Sequence, residues 1–384
     1  MLILDKVYND IIRTLGDKAR RRCTVRRTRQ RVNVALAVLA LCIVTFSNAE
    51  ERKAQEPDLY PVVIKGKCGY IDSTGQVIIK PQFDSARFFS EGLAQIRVDE
   101  HWGFINTKGD ISVKPQYDVV FDFHEGLACV WVGYKRGFID PKGNMVIKPN
   151  LSDTHDFHEG FCNIEVDGKW GYMDKNGEIV IEPKFESNLV AGGGNFSDGL
   201  ACVVVGEKYG FIDKTGKYII QPNYNGGGNF SEGLARVNIG GKQEWFGVFG
   251  GKWGYIDKNG RMVIEPQFDG AGDFHQGLAK IGRTGGLLDF AKKTVVMETQ
   301  WGFIDKTGRP IIKARFEQAN DYSQGLCLVK IKGKWGFIDK AGHFVIQPEW
   351  DSAMDFQNHL SLVTIEGKKA YINRKANIVW RKTE

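Results

Sequence analysis

The feature that most constrains this chain is a unit of about 34 residues, centred on Trp-Gly-Phe-Ile-Asp and its variants, that recurs nine times from about Val62 onward. With the motif's glycine as a ruler, the copies fall at Gly69, Gly103, Gly137, Gly171, Gly210, Gly254, Gly302 and Gly336, with Ala370 in a decayed ninth copy. The steps between them are 34, 34, 34, 39, 44, 48, 34 and 34 residues. A chain of 384 residues is too long for one ordinary core. A repeat array avoids that limit, because each unit buries a face on its neighbours and the core never widens. Hydrophobic residues make up 42% and charged residues 26%, which suits a folded chain, and 46 glycines against 11 prolines point to many tight turns.

Each unit reads as three short strands. The first is Leu-Ala-x-Val-x-Val, as at residues 93–98 and 234–239. Its alternation puts Ala94, Ile96 and Val98 on one face and Gln95 and Arg97 on the other, the pattern of a half-buried strand. The second is the Trp-Gly motif itself. The third is an apolar run closed by proline (Pro81, Pro115, Pro149, Pro183, Pro222, Pro266, Pro348), which ends strands because it cannot donate to a ladder. A loop of consensus Gln-Phe-Asp-x-Ala-x-Asp-Phe-Ser-Glu-Gly leads to the next unit. Between the second and third strands stands Asp/Asn-x-x-Gly, for example Asp72 to Gly75 and Asp174 to Gly177. The first residue suits a type I turn, whose carboxylate can bind backbone N–H groups two residues on. The glycine supplies the positive φ of a hairpin bulge. The longer steps hold extra residues between Pro183 and Gly199, Gly233 and Trp253, and Gly277 and Trp301, all between strands, where insertions are tolerated.

The blocks Lys169-Trp-Gly-Tyr-Met-Asp-Lys-Asn-Gly177, Lys252-Trp-Gly-Tyr-Ile-Asp-Lys-Asn-Gly260 and Lys334-Trp-Gly-Phe-Ile-Asp-Lys-Ala-Gly342 resemble the WG-repeat (KWG-repeat) proteins of bacteria. The Phe-Ser-Glu-Gly-Leu-Ala blocks at residues 89–94 and 230–235 add to the resemblance. It implies a β-repeat architecture, an interaction role and no catalytic residues to carry over. Cys68, Arg136, Tyr209 and Lys369 depart from it at the tryptophan position. The expected fold is all-β: three-stranded meanders stacked as an open solenoid or superhelix, with the decayed copy capping the end. The alternative is a β-propeller, whose blades need a fourth strand from the connecting loop.

Residues 1–49 form a separate region. They carry ten Lys and Arg against three Asp, so the remaining chain, with forty-two basic and forty-three acidic residues, is nearly neutral despite a net charge of +6. No cationic stripe for nucleic acid is expected on the repeats. Seven arginines between Arg20 and Arg31 precede an apolar run from Val34 to Phe46. That run is short for a bilayer span, which needs ~20 residues, and suits the ~7–15 of a signal peptide. Ser47-Asn48-Ala49 offers a cleavage site. Export is expected, by cleavage or by a short hydrophobic helix left as an inner-membrane anchor with the repeats outside the cytoplasm. Residues 50–61 read as a linker and residues 62–384 as the array.

Single constellations are sparse. His124, His158 and His275 share a repeat position that holds serine elsewhere, so no metal site is assigned. Each turn offers one carboxylate, too few for calcium. Five cysteines follow residue 49; Cys162 and Cys327 take the inward alanine position, and all five are expected to be free thiols. No nucleophile elbow, phosphate loop or metalloprotease motif occurs, and neither an enzymatic role nor a cofactor is expected. The candidate contact residues are Trp131, on the polar side of its strand, and Trp245, Phe246 and Phe249 in the insertion at residues 240–251. The expected function is a non-catalytic scaffold binding protein in the cell envelope or outside the cell. A cell-envelope glycan is the alternative partner, and a site built from the insertions at residues 240–251 and 282–299 would make the chain an enzyme.

Overall fold

A computed structural model describes residues 58–186, 194–244, 247–289 and 294–382, and every element among them is a β-strand. The basic run and apolar segment of residues 1–49, with the export signal or helix expected there, lie outside the described residues. The array begins slightly earlier than expected: Tyr60 and Pro61, assigned above to the linker, open the first strand, Tyr60–Ile64.

The unit has four strands where three were expected. In the second unit the antiparallel order is Ser85–Ser90, Leu93–Val98, His101–Asn106 and Ile111–Tyr117. We call these strands A to D. Strand A comes from the connecting loop and shrinks to two residues at Gly226–Gly227, Gly270–Ala271, Gln318–Ala319 and Ser352–Ala353. Such a strand is too short to show periodicity, so only pairing to strand B defines it. Among the described residues the first unit holds strands B to D: Tyr60–Ile64, Lys67–Ile71 and Val77–Phe83. The fourth and fifth units share one seven-stranded sheet through a Glu186–Val204 bridge.

Strand B is buried on both faces, which corrects the half-buried reading. Leu93, Ala94, Gln95 and Ile96 are all buried, Gln95 included at 1% exposure. Alternation predicts one wet face; packing between two neighbouring units removes it. The insertions at residues 240–251 and 282–299 lengthen the strand B–C hairpin as paired strands, giving Leu234–Glu244 with Gly247–Asp257 and Leu278–Asp289 with Thr294–Asp305.

The Asp-x-x-Gly turn forms as its chemistry requires. Asp174 Oδ1 accepts from the N–H groups of Asn176 and Glu178, both at 2.9 Å, and Gly177 N donates to Asp174 O at 3.0 Å. Gly177 has φ +83°, a region that penalises a Cβ. The turn glycine also rests on strand D of the preceding unit: a Cβ on Gly109 would meet Ile79, one on Gly177 would meet Ile147, and one on Gly342 would meet Ile312.

Two aromatics per unit make the joints. The third motif residue of one unit meets the aromatic of the next unit's Phe-Ser-Glu-Gly segment: Phe104 with Phe123 at 4.8 Å between centroids, Phe138 with Phe157 at 5.0 Å, Phe337 with Phe356 at 4.8 Å. Such tilted pairs add roughly 0.5–1.5 kcal/mol beyond their burial. The tips of successive units are also clasped. Glu91 accepts from Glu125 N and Gly126 N, at 2.7 and 2.8 Å, and Glu125 accepts in turn from Glu159 N and Gly160 N.

The last unit is not the free cap expected of an open stack. Tyr371 of the ninth unit meets Tyr60 of the first at 5.6 Å between centroids. Tyr60 Oη donates to Gln357 O at 2.9 Å, and Asn358 Nδ2 donates to Asp58. A Cβ on the turn glycine Gly75 would lie 2.5 Å from Val379 O, so strand D of the ninth unit lies beneath Gly75 as Ile79 lies beneath Gly109. Tyr60, Val62, Ile71, Leu360 and Tyr371 share one buried cluster. The first and last units thus use the same kind of joint as their neighbours.

Candidate binding site at the seam of the repeat array

The tryptophan that opens the motif stands in register with one residue of strand B: Arg97 opposite Trp102, Glu165 opposite Trp170, Asn238 opposite Trp253, Gly282 opposite Trp301, Lys330 opposite Trp335. A cation often lies over the ring, as Arg97 does over Trp102 at 5.9 Å and Lys330 over Trp335 at 5.8 Å. The third unit reverses this pair. Arg136 takes the tryptophan position, Trp131 takes the partner position, and the guanidinium lies 4.8 Å from the indole centroid. Trp131 is therefore half-buried against Arg136 and Phe121 rather than presented on a free polar face. This also explains how Arg136 can replace a tryptophan: the aromatic has crossed to the facing strand.

Two units lack an aromatic at both positions, Val63 opposite Cys68 in the first and Thr364 opposite Lys369 in the ninth. They are the two that meet at the seam, where the first unit also has no strand A among the described residues. The consequence is a cavity of about 760 Å³. Val62, Val63 and Cys68 form its first-unit wall; Lys369, Tyr371 and Trp380 form the ninth-unit wall. Arg87 and Phe88 of the second unit's strand A and Asp122 of the third also line it, with Lys382 at the chain's end. Lys369 and Lys382 are exposed, and so is Arg87, whose guanidinium lies 5.3 Å from the Trp102 centroid. Asp122 is engaged by Gln95, whose Nε2 donates to it at 2.6 Å. The lining is thus cationic with aromatic walls, a surface suited to binding.

A tyrosine marks what is altered at this joint. Tyr70 Oη donates to Arg87 O, Tyr172 Oη to Gly194 O and Tyr255 Oη to Gly272 O, each reaching the strand A segment of the following unit. Tyr371 Oη instead donates to Pro61 O of strand B at 2.9 Å. The sequence reading missed this cavity. Its signal was available in the clustering of the two non-aromatic copies at opposite ends of the chain, which matters only once the ends meet.

Of the insertion aromatics, Phe249 stands 53% exposed on the long hairpin opposite Lys242, away from the cavity lining. Trp245 and Phe246 lie outside the described residues. His124 and His158 do approach, their rings stacked at 5.9 Å, yet among the described residues no three ligating side chains come together. Cys68, Cys129, Cys162, Cys202 and Cys327 are buried and unpaired. Burial pushes the Cys129, Cys162 and Cys202 thiols up to about 12. At pH 8 the native chain should therefore resist iodoacetamide at these three, with full labelling once it is unfolded. Intact-mass analysis reads this directly, and rapid native labelling of any of the three would contradict the packing.

The carboxylates split into two groups with opposite pH consequences. Backbone N–H donors, led by Glu178, Arg261 and His343, hold the turn residues Asp174, Asp257 and Asp339 below the usual range. Their folded pKa lies below the unfolded value of about 3.9, so they stabilise above that pH and lose the contribution as pH falls through the folded value. Burial instead raises Asp156, Asp273 and Asp355, which oppose folding when charged and gain on protonation. All seven Asp-led turns are of the first kind. The urea midpoint should fall between pH 5 and pH 3. Asp355→Asn, which can keep the 2.8 Å bond from Asn320 Nδ2, should raise the midpoint at pH 7 and not at pH 3. A midpoint rising on acidification would reverse the assignment.

The family model described as "WG containing repeat" matches eight segments, residues 69–100, 102–135, 137–170, 170–209, 209–242, 253–282, 301–335 and 335–368. No curated protein matches the chain. Among solved structures, the dihydro-heme d1 dehydrogenase NirN is similar at 10% identity and TM-score 0.42, covering 86% of this chain and 74% of its own. Hsv2p of Kluyveromyces lactis is similar at 10% identity and TM-score 0.38, covering 66% and 89%. A protein of unknown function from Bacteroides caccae is similar at 14% identity and TM-score 0.27, covering 67% and 93%. Likeness at these scores carries no argument about activity. The eight matched copies span most of the described chain and carry the Trp-Gly motif at the spacing analysed above, so this chain belongs to the WG-repeat family.

Proposed function

We propose that the nine units close into a ring of the propeller type, and that the ring is a non-catalytic scaffold binding protein through the cavity at its seam. The observation that carries this reading is the cavity itself. Seven of the nine cross-strand pairs place an aromatic at the joint, and the two that do not adjoin each other and open one cationic, aromatic-walled space. Turns, tips and aromatic joints elsewhere are accounted for by holding units together. The basic segment and apolar run before residue 50 favour a place outside the cytoplasm, secreted or tethered to the inner membrane.

The test uses the full chain immobilised and exposed to an envelope extract. Capture should be abolished by protease treatment of the extract and by Lys369→Glu with Lys382→Glu, and kept by Lys313→Glu, an exposed lysine on strand D of another unit. Capture that survives protease but not glycan-degrading enzymes would replace the protein partner with a glycan. Capture indifferent to both lysines would remove the cavity from the reading. N-terminal sequencing of the native protein tests cleavage: a start at Glu50 rules out the anchor.

A further inference from the structure

We infer that the seam cavity takes an extended acidic peptide, which adds as a fourth strand to the edge of Tyr60–Ile64. This rests on the scaffold reading above and names its ligand. Strand B elsewhere has a neighbour whose pairing residue lies ten positions earlier: Ala86 with Ile96, Ala271 with Ile281, Ala353 with Val363. Val62 holds the corresponding place in the first unit, since it pairs with Gly69 as Val363 pairs with Ala370. Among the described residues no strand pairs with this edge. An unpaired edge is a template for a strand from another chain, with main-chain bonds giving affinity and side-chain pockets giving selectivity.

The surroundings fix the kind of strand. Lys369 and Lys382 bring cations to the space, Arg87 lines it with its guanidinium over Trp102, and the one lining carboxylate, Asp122, is already bonded to Gln95. Phe88 and Trp380 offer apolar contact between those charges. Alternating acidic and aliphatic residues match that lining. The chain's own sequence at the ten-residue spacing is a poor occupant. Glu51 and Arg52 lead into Gln55-Glu56-Pro57-Asp58, where other copies have Phe-Ser-Glu-Gly, and Tyr60 already supplies the aromatic that such a tip would bring. Tyr371 Oη has also settled on Pro61 O, an acceptor that strand A takes elsewhere: Met354 N bonds Leu362 O, the counterpart of Pro61 in the ninth unit. An added strand would take Pro61 O and return Tyr371 to its usual kind of acceptor.

The experiment titrates the full chain into a fluorescein-labelled, end-capped Glu-Val-Glu-Val-Glu-Val peptide and follows anisotropy. Binding should weaken by about tenfold or more with Lys369→Glu and Lys382→Glu together, and likewise when alternate peptide nitrogens on the pairing edge are methylated. Lys313→Glu should leave it unchanged. The proposal is overturned by no binding at millimolar peptide, by equal binding of the Lys-Val counterpart, or by indifference to N-methylation. It is also overturned if Glu51→Cys and Val63→Cys join quantitatively in a disulfide in the peptide-free chain, because the chain's own segment then fills the edge. Should the immobilised chain keep its lysine-dependent, protease-sensitive capture while rejecting both peptides, the acidic strand falls and the scaffold reading stands.

Discussion

Gly171→Ala is expected to cost about 3 kcal/mol or more, the range of severe core overpacking. The smallest possible side chain has nowhere to go. A Cβ on Gly171 would lie 2.5 Å from Ile181 O, 2.7 Å from Pro183 N and 2.9 Å from Pro183 Cα, all backbone atoms that no rotamer change can move. The crowding comes from the ladder. Trp170 pairs with Phe185 and Tyr172 with Ile181, so two steps on strand C face four on strand D, and the excess is a bulge at Glu182–Pro183 that folds back over the glycine. The glycine of the motif and the bulge inside strand D are therefore one device. Pro183 lies within Ile179–Glu186 rather than ending it as expected, and a Cβ on Gly302 would lie 2.6 Å from Ala314 N in the same way without a proline. The same close approach recurs at Gly69, Gly210, Gly254 and Gly336, each against the nitrogen of its own proline.

The ninth copy supplies the internal control. There alanine replaces glycine, and Ala370 is fully buried. Its strand D, Ile378–Arg381, has no proline, and Ala370 pairs with Arg381 and Tyr371 with Trp380 in simple succession. With the bulge gone, the glycine is no longer needed. Ala370→Gly should accordingly cost only about 0.5–1 kcal/mol. Urea unfolding followed by far-UV circular dichroism compares the two variants. A Gly171→Ala chain as stable as wild type would mean that the bulge does not press on the motif.

This coupling also shows what the sequence could and could not tell. The turn was legible because its chemistry is local: Asp and Gly at fixed separation need only their own backbone. The repeat was legible because its ruler is the sequence itself. Strand A was not, since Gly226–Gly227 or Ser352–Ala353 becomes a strand only by pairing with residues ten positions later. Burial of Gln95 was illegible for a similar reason, because alternation describes one sheet and the second face is covered by another unit. The exposure expected for Trp131 failed on a cross-strand swap: reading slots by strand position separates Trp131 from Arg136, whereas register puts them face to face. The cavity was hardest to foresee. It depends on Val63 and Cys68 facing Lys369 and Trp380, some three hundred residues apart in the chain.

Tyr60→Ala is expected to cost about 3 kcal/mol, typical of deleting a buried aromatic, and to loosen the two ends of the array while leaving its middle intact. Tyr60 is 1% exposed, touches Tyr371, donates to Gln357 O and accepts from His359 N, so one side chain holds both an aromatic joint and a tip clasp. It does this from strand B, where the other copies have a small residue such as Ala94 and draw the aromatic from the Phe-Ser-Glu-Gly tip. Hydrogen exchange separates the outcomes. In a closed ring, the variant should exchange faster along Tyr60–Ile71 and Leu360–Asn373, with Ala201–Ile212 in the middle of the array unchanged. Tyr60→Phe keeps the ring stacking and loses only the hydroxyl bonds, so it should fall between the two, at a cost of about 1 kcal/mol. If instead Tyr60→Ala leaves both stability and end protection as in wild type, the ends do not meet in solution, the array is an open stack, and the seam cavity disappears with the closure that creates it.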